Sequence, residues 1–205
     1  MGEVTAGVFE GCEHLKYVVF GRESQLRSVS AKSFYGLTSL TDFVAPPSLH
    51  AIGEKAFYGC EGITKFDFTN ITTIGESAFR NTRLKNIVLG VDIEGVGSDA
   101  FRGCELLQAV SYCGVSKELL EKADALIDYK GPIFVSTLYQ AEVMFGHKVT
   151  VKFDGDCLEP TRGFTVGDGT GSRMVGIALG ALTDPVSEEE SIRSYDDLEV
   201  VVEGG

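Results

Sequence analysis

A phenylalanine recurs along the first half of the chain at nearly constant spacing. Phe9, Phe34, Phe57, Phe79 and Phe101 follow one another at intervals of 25, 23, 22 and 22 residues. Each stands in one frame of apolar residues, with aliphatic or β-branched residues eight and five positions before it and further apolar residues about six, nine and eleven positions after it. Such a period indicates a repeat architecture, in which each unit buries its apolar residues against its neighbours.

The frame predicts one short β-strand per unit, six to eleven residues after the phenylalanine, as in residues 15–20. Alternate residues of a strand point to opposite faces. Stacked units then form a parallel sheet, so we predict an α/β-type repeat solenoid of leucine-rich-repeat type, with a parallel sheet and about five units in residues 1–114. The inward residues of these strands should form the core together with the phenylalanines: Val18, Phe20, Phe43, Ala45, Phe66, Phe68, Ile87, Leu89, Val110 and Tyr112.

Glycine also keeps the register of the repeat, four positions before the phenylalanine and two positions after it. Glycine permits positive φ angles and close chain approach, so we predict that these positions are the corners of each coil. They are Gly53, Gly75 and Gly97 before the phenylalanine, and Gly11, Gly36, Gly59 and Gly103 after it.

Three of the five cysteines share one repeat position, three residues after the phenylalanine. Cys12, Cys60 and Cys104 are two units apart, so at the usual strand spacing their sulfurs lie roughly 9–10 Å from one another, beyond disulfide reach. We expect buried free thiols at all three positions. Cys113 and Cys157 lie outside this pattern, and a bridge between them stays open.

The segments 52–63 and 74–85, which read Ile-Gly-Glu-Lys-Ala-Phe-Tyr-Gly-Cys-Glu-Gly-Ile and Ile-Gly-Glu-Ser-Ala-Phe-Arg-Asn-Thr-Arg-Leu-Lys, carry a family resemblance. They resemble the BspA-type leucine-rich repeats of bacterial and protist surface proteins, and the resemblance covers about residues 4–113. It implies a curved solenoid used for adhesion or protein recognition, without catalytic residues. It also implies a cell-surface or secreted protein, with any signal lying upstream of this chain.

The outward residues of the predicted strands form two columns on the exposed face of the sheet. Aligned valines beside a tyrosine and mixed charges favour a small surface that binds a protein partner, although a monomer also exposes single valines without function. The first column is Tyr17, Asp42, Lys65, Asn86 and Ala109, and the second is Val19, Val44, Asp67, Val88 and Ser111.

After Tyr112 the repeat frame is lost, and residues 116–127 show the apolar stripe of an amphipathic helix, ended by Gly131-Pro132. We predict a helix within residues 115–131 that caps the open end of the solenoid, with a partner-binding helix as the alternative. Alternating segments in residues 132–205 predict a β-rich domain, as a small antiparallel sheet or sandwich. The predicted strands are 133–135, 148–153, 164–166, 174–182 and 198–202.

Composition limits the function. A net charge of −12 repels phosphate backbones, so we predict no nucleic-acid partner, and no apolar stretch approaches the length of a membrane span. His14, His50 and His147 have no ligand-like spacing, and we expect no metal, cofactor or enzyme activity. A calcium ion held by acids of the second half is the disfavoured alternative, through Asp154, Asp156, Glu159 and Asp168.

The leading hypothesis is therefore a non-enzymatic module for protein recognition or adhesion. Two alternatives stay open. The repeats are a structural spacer that presents a functional second half, or an enzyme site lies in residues 132–205.

Overall fold

The computed structural model of the protein describes residues 2–21, 23–115, 124–153, 165–166 and 173–174. Within this part of the chain the regular elements are all short β-strands, and there is no helix with the length and apolar character needed to cross a bilayer. The strands are β1 (Gly2–Val4), β2 (Tyr17–Val19), β3 (Leu26–Val29), β4 (Asp42–Val44), β5 (Ala51–Ile52), β6 (Thr73–Ile74), β7 (Asn86–Leu89), β8 (Gly95–Val96), β9 (Ala109–Tyr112), β10 (Ile133–Ser136), β11 (Val143–Met144), β12 (His147–Lys148), β13 (Val151–Phe153), β14 (Thr165–Val166) and β15 (Arg173–Met174).

The phenylalanine column is confirmed as the axis of the core. The rings of Phe9, Phe34, Phe57, Phe79 and Phe101 stack in that order, with centroids 4.8, 5.1, 5.1 and 5.8 Å apart and interplanar angles between 4° and 18°. The last four rings are buried, and Phe9 is half-buried. One ring per coil therefore sets the register of the solenoid.

The strands predicted after each phenylalanine are present in four of the first five coils. β2 pairs in parallel with β4, β7 pairs in parallel with β9, and both pairs keep the predicted register. In the third coil, residues 63–68 form no strand, so the expected continuous sheet is interrupted. Two phenylalanines stand inward here, and the ring of Phe66 packs 4.8 Å from both Phe68 and Phe79. We attribute the interruption to this bulk, since the neighbouring coils place smaller residues at one or both positions.

A second parallel sheet was not anticipated from the sequence. It consists of β1, β3, β5, β6 and β8 in that order, and each strand ends five residues before a phenylalanine. Ile52 pairs with Ile74, and Ile74 pairs with Val96. The recurring spacing of these aliphatic residues thus reflects paired strands of two to four residues. Such strands are too short to show the alternation of apolar and polar residues.

The two glycine positions serve different purposes. Gly59 has a φ of +71°, so the position two after the phenylalanine requires the left-handed region, and Asn81 takes the same position in the fourth coil with a φ of +59°. Gly75 has an ordinary φ, but a Cβ atom there would lie 2.5 Å from the backbone nitrogen of Glu54 in the preceding coil. This glycine is needed because two coils meet backbone to backbone.

The solenoid continues beyond the predicted boundary. In successive coils the phenylalanine nitrogen donates to the carbonyl oxygen of the alanine one coil later, and Phe101 continues the series by donating to Ala125 at 3.0 Å. Ala125 and Leu126 therefore replace the Ala-Phe pair in a sixth coil. Of the predicted helix, residues 116–123 lie outside the described part of the chain, and residues 124–127 are a coil corner rather than a helix.

The strands after this corner extend the same sheet. β10 pairs in parallel with β9, and β13 pairs in parallel with β10. The antiparallel arrangement expected from residue 132 is therefore wrong for β10 and β13, although β11 and β12 form an antiparallel hairpin. The prediction for this part failed because the sixth coil has Leu126 at the position where the earlier coils have phenylalanine, so the repeat was not recognisable from the sequence.

The chain divides into two compact units, residues 1–158 and residues 159–205. In the second unit the structure describes β14 and β15, which pair antiparallel through Thr165 with Met174 and Val166 with Arg173. The strand predicted at 198–202, most of the one at 174–182, and the acids proposed for calcium lie outside the described residues.

Candidate binding surface

The outward columns begin on β2 and β4, where parallel pairing sets Tyr17 beside Asp42 and Val19 beside Val44. Tyr17 is 65% exposed and Val44 is 38% exposed, whereas Val19 and Asp42 are half-buried. Because the two strands share their hydrogen bonds, these four side chains have fixed positions relative to one another.

The columns continue across the interruption in the third coil. Lys65 and Asp67 are exposed although their segment forms no strand. The Lys65 Nζ lies 3.8 Å from an Asp42 carboxylate oxygen, so these two side chains of one predicted column are neighbours. Asp67 instead accepts a hydrogen bond from the Thr69 backbone nitrogen at 2.9 Å. The face therefore carries a negative, a positive and a negative charge in chain order, from Asp42, Lys65 and Asp67.

The far end of the columns differs from the expectation. Asn86 and Val88 are half-buried on β7, but Ala109 is 3% exposed and Ser111 is 8% exposed. The prediction that these last two residues face solvent is wrong, because β9 is an inner strand of the sheet. β10 lies beside β9, and its Phe134, which stands opposite Ser111, is itself buried.

The outward face is thereby reduced to eight residues from the first four coils. We use this name for Tyr17, Val19, Asp42, Val44, Lys65, Asp67, Asn86 and Val88.

A second surface was missed from the sequence. The residue directly after each phenylalanine points away from the core, and two coils place tyrosine there. The rings of Tyr35 and Tyr58 stack 5.0 Å apart at 10°, and the guanidinium of Arg80 lies 5.9 Å from the centroid of Tyr58. We call this the corner column: Glu10, Tyr35, Tyr58, Arg80, Arg102 and Ile127. The repeat register alone would have revealed it.

The arginines of the corner column belong to a chain of ion pairs. Arg80 Nη1 lies 3.0 Å from an Asp99 carboxylate oxygen, and Arg102 Nη1 lies 3.4 Å from the same atom. Arg102 Nε also lies 3.4 Å from Asp128. These bridges are partly exposed, so each contributes little to stability, but together they fix both guanidinium groups.

The repeat geometry agrees with a comparison against known protein families. Residues 2–122 match the model of the BspA type leucine rich repeat region in six copies. The chain belongs to the BspA-type leucine-rich repeat family. Among solved structures it is similar to a leucine-rich repeat protein from Bacteroides ovatus, with 16% identity and a TM-score of 0.47 over 65% of this chain and 43% of that one. The chain thus matches less than half the length of that protein, and none of the curated proteins matches it.

Two of the three cysteines at the shared position of these BspA-type repeats are buried thiols of low reactivity. Burial raises the pKa of Cys60 to about 12 and that of Cys104 to about 11. Both sulfurs donate to backbone oxygens of the coil before, Cys60 to Phe34 at 2.9 Å and Cys104 to Phe79 at 3.3 Å. The predicted burial is confirmed for these two, whereas Cys12 is exposed. Coil one packs on coil two, and no further described coil covers its other side.

The remaining cysteine of the described part, Cys113, is disulfide-bonded. Cys157, with which the sequence left a bridge open, lies outside the described residues. No group of three or more histidine, cysteine or acidic side chains that would hold a metal occurs in the part that the structure describes.

A cleft of about 420 Å³ opens between the fifth and sixth coils of the BspA-type solenoid. Phe101, Leu107 and Tyr129 form part of its lining, together with the charged residues Glu105 and Lys130. The Tyr129 hydroxyl donates to the Pro132 carbonyl oxygen at 2.7 Å, and burial raises its pKa. Since this hydroxyl is already bonded to the protein, it shapes the wall of the cleft rather than offering a free polar group.

Proposed function

We propose that the chain is a non-enzymatic protein-recognition module that binds a protein partner through the outward face. The observation that carries the proposal is the pair of exposed side chains, Tyr17 and Val44, held in register on a parallel sheet beside the Asp42–Lys65 ion pair. An exposed aromatic residue next to an aliphatic one supplies apolar contact, and the charges beside them supply specificity.

The scaffold favours this use of the face. Its side chains stand on strands or on a segment enclosed between strands, so little conformational entropy is lost when a partner binds. Solenoid repeats commonly serve as protein-interaction modules, since stacking gives them an extended continuous surface.

The size of the outward face limits the affinity. Three steps between four coils span about 14 Å, and the two columns stand about 7 Å apart. Even with the reach of the side chains, this patch covers a few hundred Å², below the roughly 800 Å² that each partner contributes to a standard interface. A stable complex therefore includes residues beside the face, and a complex restricted to the face is transient.

We further propose that the recognition takes place at the cell surface or outside the cell, as adhesion. The family resemblance supports this location. The disulfide at Cys113 supports it as well, because disulfides persist in oxidising compartments and are rare in the reducing cytosol.

The role of a binding module rather than an enzyme rests on chemistry as well as on the family. A nucleophilic cysteine acts as a thiolate, whereas the Cys60 and Cys104 thiols are buried and kept neutral by their raised pKa values. The polar groups of the outward face are two carboxylates, an ammonium, an amide and the phenol of Tyr17, and its eight residues include no histidine, serine, threonine or cysteine.

Affinity capture from the native source with three immobilised chains tests the proposal. The first is the wild-type chain, and the second carries Tyr17→Ala, Val44→Glu and Val88→Glu. The third carries Val91→Glu, which changes an exposed valine outside the outward face and is the matched control. Circular dichroism and thermal unfolding verify that all three fold.

We expect a protein partner that the wild-type chain and the Val91→Glu control retain equally and that the triple variant loses at least tenfold. Equal capture by the triple variant would contradict the proposal and favour the repeats as a spacer.

A further inference from the structure

We propose that the open face of the Tyr35 ring is a second binding site, which takes the guanidinium group of an arginine side chain from a protein partner. This site belongs to the corner column and is separate from the outward face. It is carried by four features of the first four coils: the stacked tyrosines, the arginine at the far end of the stack, a gap between two coils and a carboxylate on the first of these two coils.

The two ends of the tyrosine stack differ in what covers the ring. Tyr58 lies between Tyr35 on one side and the guanidinium of Arg80 on the other. Among the residues that the structure describes, Tyr35 has a ring partner on one side only, Tyr58, and the ring is 49% exposed. The protein's own Arg80 shows that this pair of rings accepts a guanidinium at its far end, and Tyr35 offers the equivalent ring face at the near end.

The backbone leaves room at the near end. Neighbouring coils are joined at this corner by a hydrogen bond, from Gly36 N to Tyr58 O at 2.8 Å, and again from Gly59 N to Arg80 O at 2.8 Å. Among the described residues, no such bond joins Gly11 to Tyr35. A Cβ atom built on Gly59 would lie 3.8 Å from the Gly36 Cα, whereas one built on Gly36 would meet nothing within 4 Å, so coils one and two stand farther apart at this corner than coils two and three.

The charge at this end favours a cation. Glu10 occupies the corner column in coil one, and its side chain is exposed. Phe9 and Phe34 stack 4.8 Å apart, so the residues that follow them stand on the same corner of adjacent coils. The Glu10 carboxylate lies beside Gly7 of its own coil, with one oxygen 3.6 Å from where a Cβ atom on Gly7 would stand. A cation over the Tyr35 ring is attracted by the aromatic face and by this negative charge on the adjacent coil.

The lysine that acts on Tyr35 is already paired with a carboxylate. The Lys55 Nζ lies 2.6 Å from a Glu54 carboxylate oxygen, and that hydrogen bond lowers the pKa of Glu54. The pKa of Lys55 is raised first by the same hydrogen bond, with Tyr35 among the smaller contributors. Lys55 is therefore held on Glu54 of the third coil.

The chemistry selects arginine over lysine. A guanidinium is planar, so it stacks on the ring while its edge donates hydrogen bonds to a carboxylate, and it is more weakly hydrated than an ammonium. At a partly exposed site an isolated contact of this kind is weak, so the site adds specificity to a larger interface.

Titration of the isotope-labelled protein with N-acetyl-arginine amide, followed through the aromatic NMR signals of the tyrosines, tests the inference. N-acetyl-citrulline amide is the neutral comparator of nearly the same shape, and N-acetyl-lysine amide is the ammonium comparator. We expect a shift at Tyr35 that grows with the concentration of the arginine probe, a slope at least fivefold smaller with lysine and no shift with citrulline.

Three variants locate the site. Tyr35→Leu keeps an apolar side chain but removes the aromatic face, and it should abolish binding, as monitored at Gly11 and Gly36 amide signals. Glu10→Gln should weaken binding several-fold. Glu13→Gln removes an exposed carboxylate of the same coil outside the corner column, and it should leave binding within twofold of wild type.

Several results would overturn the inference. These are the absence of a shift at Tyr35 with the arginine probe, equal responses to arginine and citrulline, equal responses to arginine and lysine, and equal losses in Glu10→Gln and Glu13→Gln. The last result would show that the net charge of −12 attracts the probe without a defined site.

Discussion

The Cys60 thiol donates a hydrogen bond of 2.9 Å to the carbonyl oxygen of Phe34, 26 residues earlier in the chain and one coil away. The contact joins the two positions that define the repeat, the phenylalanine of one coil and the cysteine of the next. It explains why cysteine suits a slot where other coils have leucine or threonine. The slot is enclosed and apolar, but it borders a backbone oxygen that a small donor reaches.

Thiol reactivity should therefore differ sharply among the described cysteines. In the native protein we expect iodoacetamide to alkylate Cys12 rapidly, since it is exposed, and to leave Cys60 and Cys104 unmodified. Cys60 and Cys104 should react after denaturation, and Cys113 only after reduction. Peptide mapping by mass spectrometry measures each site. Native labelling of Cys60 at the rate of Cys12 would refute the burial of this slot.

Stability should fall at alkaline pH through the same thiols. The ordinary pKa of 9.0 applies to the unfolded chain, whereas burial raises the pKa of Cys60 to about 12 and that of Cys104 to about 11 in the folded chain. Both groups stay neutral when folded, so their contribution is fully present below pH 9 and is lost as pH rises toward 11 and 12. Urea titrations between pH 8 and 11 measure the decline. A Cys60→Ala, Cys104→Ala variant should decline less steeply, and an unchanged slope would contradict the assignment.

Phe57 stacks between Phe34 and Phe79, each 5.1 Å away, at the centre of the core. Phe57→Ala should reduce the free energy of unfolding by about 3–5 kcal/mol, because the substitution removes apolar contact and leaves a cavity between two coils. Val91→Ala changes an exposed side chain and should stay within about 0.5 kcal/mol of wild type. Chemical denaturation followed by circular dichroism compares them, and equal effects would refute the register of the core.

The features that follow from the repeating phenylalanine frame could be predicted from the sequence. The stacked rings, the strands after them and the turn at Gly59 follow from residues that recur at fixed offsets. The sheet that contains Ile52 and Ile74 was missed, because strands of two residues show no alternation. The interruption at residues 63–68 was not predicted. We attribute it to the volume of adjacent aromatic rings, which the spacing of residues along the sequence does not reveal.

The same reasoning explains the errors in the outward face. Alternation along β9 placed Ala109 and Ser111 outward, and their pairing with β7 confirms that register. Their burial depends on β10, which follows an apparent break in the repeat. Tyr35 and Tyr58 were missed for a different reason. They lie at a turn directly after the phenylalanine, whereas the predicted surface contained only strand residues. Their shared position in the repeat was nevertheless visible in the sequence.

The sixth coil makes a prediction that separates it from a capping helix. Leu126 is buried where the earlier coils have phenylalanine, whereas Ile127 is exposed on the corner column. Leu126→Ala should cost about 2–5 kcal/mol, and Ile127→Ala should stay within about 0.5 kcal/mol of wild type. An amphipathic helix with both residues on its apolar stripe would lose stability in both variants. Urea denaturation of the two variants decides between the coil and the helix.

Two glycines in or next to the second sheet, Gly75 and Gly95, should respond oppositely to alanine. At Gly75 a Cβ atom meets the backbone of Glu54 at 2.5 Å, so Gly75→Ala forces two coils apart and should cost about 1–3 kcal/mol. Gly95 lies in the same sheet with an ordinary φ and nothing within 4 Å of a Cβ atom. Gly95→Ala should stabilise the fold by about 0.4–1 kcal/mol, since it reduces the entropy of the unfolded chain. Thermal and urea unfolding give both signs, and a loss of stability in Gly95→Ala equal to that in Gly75→Ala would show that close approach of coils is not the reason for glycine in this sheet.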